Sequence, residues 1–188
     1  MLTVKIGNQE WSLENLDVSE FKNGDSIPEA KTAYEWVMAA DRKQPAWCYY
    51  TGEDQDGEVY GRLYNGYCVY DERCLAPDGY RIPNTNDWNT LTTFLGYEVA
   101  ARRMLPAELL QLHYPGTEAS GFSAFLGGWR SNSGIFEYKG EMGFWWILDN
   151  MSDQDHANVR SIHYMKSDIS EAVVSKAFGF NVRCLRDT

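Results

Sequence analysis

Histidines, cysteines and clustered carboxylates are the residues of this chain that could carry covalent or acid–base chemistry. His113, His156 and His163 would act as bases only if each lay against a nucleophile and was oriented by a third group. No GxSxG elbow surrounds any serine, and His163 falls in a predicted strand beside Tyr164, where it reads as a surface or contact residue. Cys48, Cys68, Cys74 and Cys184 include no CxxC pair and lie far in sequence from the histidines. A structural zinc site is therefore not expected. The four cysteines admit alternative disulfide pairings or free buried thiols, and both readings stay open. Gly127-Gly128 leads into Trp129-Arg130 within strands, so it does not make a phosphate loop. The acidic loop from Gly52 to Gly57 lacks the ligand spacing and closing glutamate of a calcium loop and reads as a solvated turn. Abundant Asp and Glu do not by themselves place two carboxylates at a glycosidase separation. The expectation is a protein that is not an enzyme and needs no cofactor or metal.

Composition narrows the alternatives. The chain has 188 residues, which suits one domain spanning 1–188, and 44% of them are hydrophobic, enough for a sizeable core. It carries 12 Tyr, 8 Phe and 7 Trp, a bias toward strands and toward loops pinned by large side chains. Net charge is −10, with no basic run to displace counterions from phosphate, so nucleic acid is an unsuitable partner. An anionic membrane surface is disfavoured on the same ground. No apolar stretch approaches the roughly 20 residues that span a bilayer, so direct membrane insertion is not expected. The segment Met1 to Ile6 lacks the charged start and apolar core of a signal peptide.

Period and punctuation supply the elements. Thr3 to Ile6 and Glu10 to Leu13 alternate around a Gly7-Asn8 turn and read as a hairpin. Pro28 suits a first helical position, and Ala30, Ala33, Tyr34, Val37 and Met38 give a helical stripe from Glu29 to Arg42. Asn84 or Thr85 caps a second helix with Asp87 in its first turn and an apolar stripe of Trp88, Leu91, Phe94 and Leu95. A third spans Glu98 to Leu112, interrupted at Pro106. After Gly121 short strands follow: 122–130, 135–139, 144–148, 159–165, 169–175 and 180–185. Helices early and strands late predict an α+β fold with an antiparallel sheet.

The segments TVKIGNQEW, ENLDV, NGDSIP, WCYY, YGRLYNGYCV, APDGYRIP, DW, SGFSAFLGGWR, GFWW and GFNVRC occur in that order. As a set they resemble the Fibrobacter succinogenes major paralogous domain family over essentially the whole chain. The resemblance implies a C-type lectin-like fold near the formylglycine-generating enzymes: two or three helices around a small antiparallel sheet, with much irregular loop. The cysteine pair of those enzymes is not carried over, because only Cys184 lies near the C-terminal end of this sequence. Neither Glu-Pro-Asn nor Gln-Pro-Asp occurs, so calcium-dependent sugar binding is not implied either. Two departures stand out. Cys74-Leu75-Ala76-Pro77 replaces the family's Leu-Cys-Pro, and Trp146-Ile147-Leu148 replaces a run of small polar residues.

The resemblance extends to the variable proteins of diversity-generating retroelements, whose variable segment ends near a Gly-Phe-Arg-like anchor; Gly179 to Arg183 resembles it. The family's frequently changing positions fall on Asn158, Ser161, His163, Asp168, Ser170, Ala172, Val174 and Ala177, all residues that an adenine-mutated Asn codon can produce. Asp168, Ser170, Ala172 and Val174 alternate along one predicted strand and so share a face. Trp146, Ile147 and Leu148 are consecutive on a strand and point to opposite faces, so one core cannot bury them all. With Asp149 and Asn150 they form the strongest expected contact segment. Trp129 is expected in the core instead. The expectation is a ligand-binding protein with its face between about 144 and 178. Its ligand would be a protein or glycan on a cell surface, and it would be displayed on a bacterial surface or a phage particle. The alternative is a structural or adhesive surface protein of the same family without diversification.

Overall fold

A computed structural model describes residues 1–50, 59–150 and 153–187. The acidic loop from Gly52 to Gly57 lies outside the described residues. Strands β1 (Thr3–Ile6) and β2 (Gln9–Ser12) form the expected hairpin, with Ile6 opposite Gln9. Helix α1 (Ala33–Asp41) begins later than the apolar spacing suggests. Residues 28–30 run extended beside strand β3 (Trp47–Cys48): Trp47 N–H donates to the Pro28 carbonyl and Ala30 N–H to the Trp47 carbonyl. The helix then starts at a Thr32–Glu35 capping box, a signal present in the sequence. Its buried anchor is Trp36, whereas Tyr34 faces solvent.

Strand β4 (Leu63–Asn65) leads into the single turn α2 (Gly66–Val69), capped by the Asn65 side chain. After β5 (Tyr80–Arg81), helix α3 (Thr85–Leu95) starts at the expected cap, with Asn84 and Asp87 bonding each other's backbone. Its inner stripe is Trp88, Leu91 and Leu95, and Phe94 is exposed. Pro106 divides the next helical stretch into α4 (Ala100–Met104) and α5 (Ala107–His113).

The remaining strands are β6 (Gly127–Arg130), β7 (Phe136–Lys139), β8 (Met142–Trp146), β9 (His156–His163), β10 (Ser170–Ser175), β11 (Gly179–Phe180) and β12 (Leu185–Arg186). They do not make one small antiparallel sheet. A four-stranded sheet runs β1-β2-β12-β5, and an eight-stranded sheet runs β10-β9-β8-β6-β11-β4-β3, with β7 paired to β6. The β6–β8 pair is parallel, so the large sheet is mixed. The segment from Phe122 to Leu126 is not a strand, because Ser123 has φ +49° and the Phe122 and Ser123 carbonyls turn toward a buried guanidinium. The expected strand from Phe180 to Leu185 is split: β11 belongs to the large sheet and β12 to the small one.

The large sheet is covered on both faces. One core gathers Trp146, Phe144, Val159 and Phe180 with Tyr64, Trp47 and Ile82. The other gathers Trp145, Ile147 and Ile162 with Trp11, Trp88, Phe122 and the inner faces of α3 and α4. Strands covered on both sides read as continuous apolar runs, which is why GFWWI does not alternate. A smaller cluster packs Trp36 on Cys48 and Leu63.

Candidate functional site

The two cores decide the fate of the residues singled out after Phe144. Trp146 enters the first core and Ile147 the second, and both are fully buried. Strand geometry requires opposite faces, and here each face has its own core, so burial removes Trp146 and Ile147 from the expected contact set. The Trp146 indole N–H donates to the Tyr64 carbonyl at 2.7 Å, so its polar atom is used internally too. Leu148 is the apolar residue of the run that reaches solvent, at 37% exposure. It borders a cleft of about 360 Å³ shared with Tyr70, Tyr80 and Ile82. Asp149 is engaged within the fold. Its carboxylate accepts from the Thr85 N–H and hydroxyl and from the Asn158 amide, tying the end of β8 to the start of α3. Burial pushes the Asp149 carboxyl up, but those donors outweigh it and hold the group below its ordinary value. Asn150 is exposed.

The β9–β10 hairpin supplies a face. The registers Ser170↔Ser161 and Ser161↔Phe144 set these side chains in line across β10, β9 and β8. Phe144 in turn stacks on Trp129 of β6, with ring centroids 4.9 Å apart. A row Ser170–Ser161–Phe144–Trp129 thus crosses four strands on one side of the sheet. The next row is Ala172–Val159–Trp146. Ser170 and Ala172 are exposed; Ser161, His163, Val174 and Trp129 are half-buried; Phe144, Val159 and Trp146 form the floor. Phe178 lies against Trp129 and, stacked on Phe180, closes one end.

Ser161, His163, Ser170, Ala172 and Val174 are therefore brought together, as the strand alternation implied. Asn158 is not: it lies on the opposite face beside Arg160, bonded to Asp149. Asp168 precedes β10 and is exposed, and Ala177 follows it, its carbonyl accepting from the Trp36 indole. His163 accepts the Met165 N–H through Nδ1 and stacks on Tyr164. Trp129, Phe144 and Phe178 border this face without being among the expected contact residues. Trp129 packs on the first core but keeps a half-open ring, its indole bonded to the exposed Glu137. The usable signal was parity with Phe144 across a parallel pair, which a sequence without its register does not reveal.

Beneath this face the Gly179–Arg183 segment locks the fold. Gly179 pairs with both Asn65 and Arg130, and a Cβ there would meet Trp36 at 2.8 Å. The Asn181 amide donates to the Tyr60 and Arg62 carbonyls. Arg183 is fully buried and donates to the carbonyls of Ser12, Phe122 and Ser123 and to Asn15 Oδ1. Burial lowers its pKa to about 9, which still leaves the guanidinium charged at neutral pH. Asn15 Oδ1 also accepts from Trp145 at 2.8 Å, so one amide oxygen joins the anchor to the sheet.

The candidate catalytic groups do not converge. His156 sits beside Asp153 at the surface, His113 lies against Tyr164, and His163 is occupied as above. Among the described residues no group of three or more His, Cys, Asp and Glu could hold a metal ion. The cysteines are free: Cys48, Cys68 and Cys184 are buried and Cys74 is exposed. Burial pushes the Cys48 thiol up to about 11 and the Cys184 thiol to about 12. No helix among the described residues is long and apolar enough to cross a membrane.

Two sheets, short helices packed around them and a buried arginine tying Ser12 and Asn15 to the Phe122–Ser123 segment define an α+β fold rich in irregular connections. The chain belongs to the Fibrobacter succinogenes major domain family, whose model matches residues 4–186. That membership places it among bacterial proteins. No curated protein and no solved structure matches it.

Proposed function

We propose that this chain is a recognition protein of the C-type lectin-like kind that binds a protein or glycan on a cell surface without catalysing a reaction. The observation that carries the reading is the row Ser170–Ser161–Phe144–Trp129 with Ala172 and Val174 beside it. Small side chains stand there on ordered strands over an aromatic floor. Such positions change without disturbing a core, and the half-open Trp129 and Phe178 rings supply the anchor area that binding hot spots use. The same positions are those the family resemblance marks as changing, so a hypervariable face is the natural extension. The reading implies display on a bacterial surface or a phage particle.

The test is binding of the fluorescently labelled protein to a glycan array and to whole bacterial cells. Trp129→Ala and Ala172→Arg should each abolish the binding seen with wild type, with the thermal midpoint of Ala172→Arg within a few degrees of wild type. Binding that survives both substitutions would refute this face as the site. Sequencing the locus tests diversification, which requires a reverse transcriptase and an imperfect repeat nearby.

A further inference from the structure

Strand β10 ends the large sheet, and among the described residues it pairs only with β9. Which of its backbone groups face outward follows from the hydrogen bonds around it. Lys176 N–H donates to the Asp155 carbonyl, one step beyond the register Ser175↔His156. Hydrogen-bonded pairs alternate in an antiparallel ladder, so Val174, Ala172 and Ser170 also direct their backbone groups to β9. Ile147 N–H donates to the Asn158 carbonyl, which turns Asn158 toward β8 and agrees with that parity. Glu171, Val173 and Ser175 therefore aim their N–H and C=O groups off the edge. The Ser175 carbonyl already closes a turn with the Phe178 N–H.

Natural sheets blunt such edges with proline, lysine, a bulge or a cover. Here the edge reads Ser-Glu-Ala-Val-Val-Ser. Its Val173 side chain is 60% exposed, and its charge, Glu171, is neutralised by Arg160 at 2.7 Å. We propose that β10 pairs antiparallel with β10 of a second copy about a two-fold axis through Val173. This register uses all three outward residues. Val173 exchanges hydrogen bonds with Val173 of the second copy, and Glu171 faces Ser175, so no like charges oppose. Sliding the register by two residues in either direction loses a pair. The axis stands perpendicular to the sheet, so the two candidate binding faces lie on the same side, with Ala172 of one copy beside Val174 of the other. The paired edge thus joins two recognition faces into one surface. A single six-residue edge buries little, which makes this a weak dimer. Net charges of −10 repel, so added salt tightens it.

The pairing itself is independent of any ligand, and its test uses none. Sedimentation of the full chain over rising concentration should approach twice 21.5 kDa, at lower concentration in high salt. Amide exchange at Glu171 and Val173 should slow with concentration. Val173→Lys should restore the monomer with an unchanged far-UV spectrum and thermal midpoint, while Val173→Thr should still dimerise. A wild-type chain that stays monomeric at millimolar concentration overturns the proposal. So does a dimer whose Glu171 and Val173 amides remain unprotected, or one that survives Val173→Lys.

Discussion

Replacing Arg183 by methionine is the sharpest test of how the C-terminal segment holds the fold. The guanidinium is fully buried and its donors reach three backbone carbonyls and Asn15 Oδ1 at 2.7–2.9 Å. Methionine fills much of the same volume and removes a buried cation, which by itself is favourable. It also strands the carbonyls of Ser12, Phe122 and Ser123. Each orphaned buried acceptor costs about 1–3 kcal/mol. Offsetting part of this by the recovered desolvation leaves a net loss of about 3–5 kcal/mol, toward the low end of the sum for three stranded acceptors. For a chain of this size each kcal/mol moves the thermal midpoint by roughly 2–4 °C, so a fall of about 6–20 °C is expected. Arg183→Lys keeps a charge but loses the planar fork, and should fall between wild type and Arg183→Met. Calorimetry and urea titration read both. If Arg183→Met melts within about 2 °C of wild type, at most about 1 kcal/mol, the anchor is not where the stability resides.

Other consequences are as direct. A thiol reagent should titrate a single cysteine in the native protein, Cys74, and all of them in denaturant, because the other thiols are buried. Gly128→Ala should cost about 2–4 kcal/mol, combining a left-handed backbone with overpacking. At φ +66° its Cβ would run into the Glu137 carbonyl and the Lys139 nitrogen; a fall in thermal midpoint checks it. Asp149→Asn should cost about 1 kcal/mol at pH 7, discounted for partial exposure. The Asp149 carboxyl is held below its ordinary 3.8, so its contribution is complete above that value and lost as pH falls through the lower native one. Urea midpoints of wild type and Asp149→Asn should therefore converge in strong acid and diverge at pH 7.

Local signals carried far in this sequence. The β1–β2 hairpin, the Asn84–Asp87 cap and the Pro106 break stand where turn and capping chemistry put them. What failed depended on partners distant in the chain. Pro28 looks like a helix start until Trp47 draws residues 28–30 into an extended pairing. Phe122 to Leu126 reads as the start of a strand, but the Phe122 and Ser123 carbonyls are claimed by Arg183, about sixty residues away. Trp146 and Ile147 look surplus to one core, and only the sheet order shows that there are two. The alternation of Ser170, Ala172 and Val174 was readable along β10, yet their aromatic neighbour Trp129 enters only through the β6–β8 pairing.

The small sheet seats β12 between β2 and β5, and Ser12 N–H donates to the Cys184 carbonyl. This has a consequence for how the chain is made. Synthesis proceeds from the N-terminal end, so Ser12 and Asn15 leave the ribosome long before the strand and the guanidinium that complete them. Their contacts span most of the sequence, which slows folding, because the loop must close before the bonds repay it. Until Gly179 to Arg186 emerge, β2 has β1 as its one strand neighbour and β4 has only β3. Gly179 to Arg186 are thus a late-arriving seal, and deleting them should leave a nascent chain dependent on chaperones rather than a slightly weakened protein.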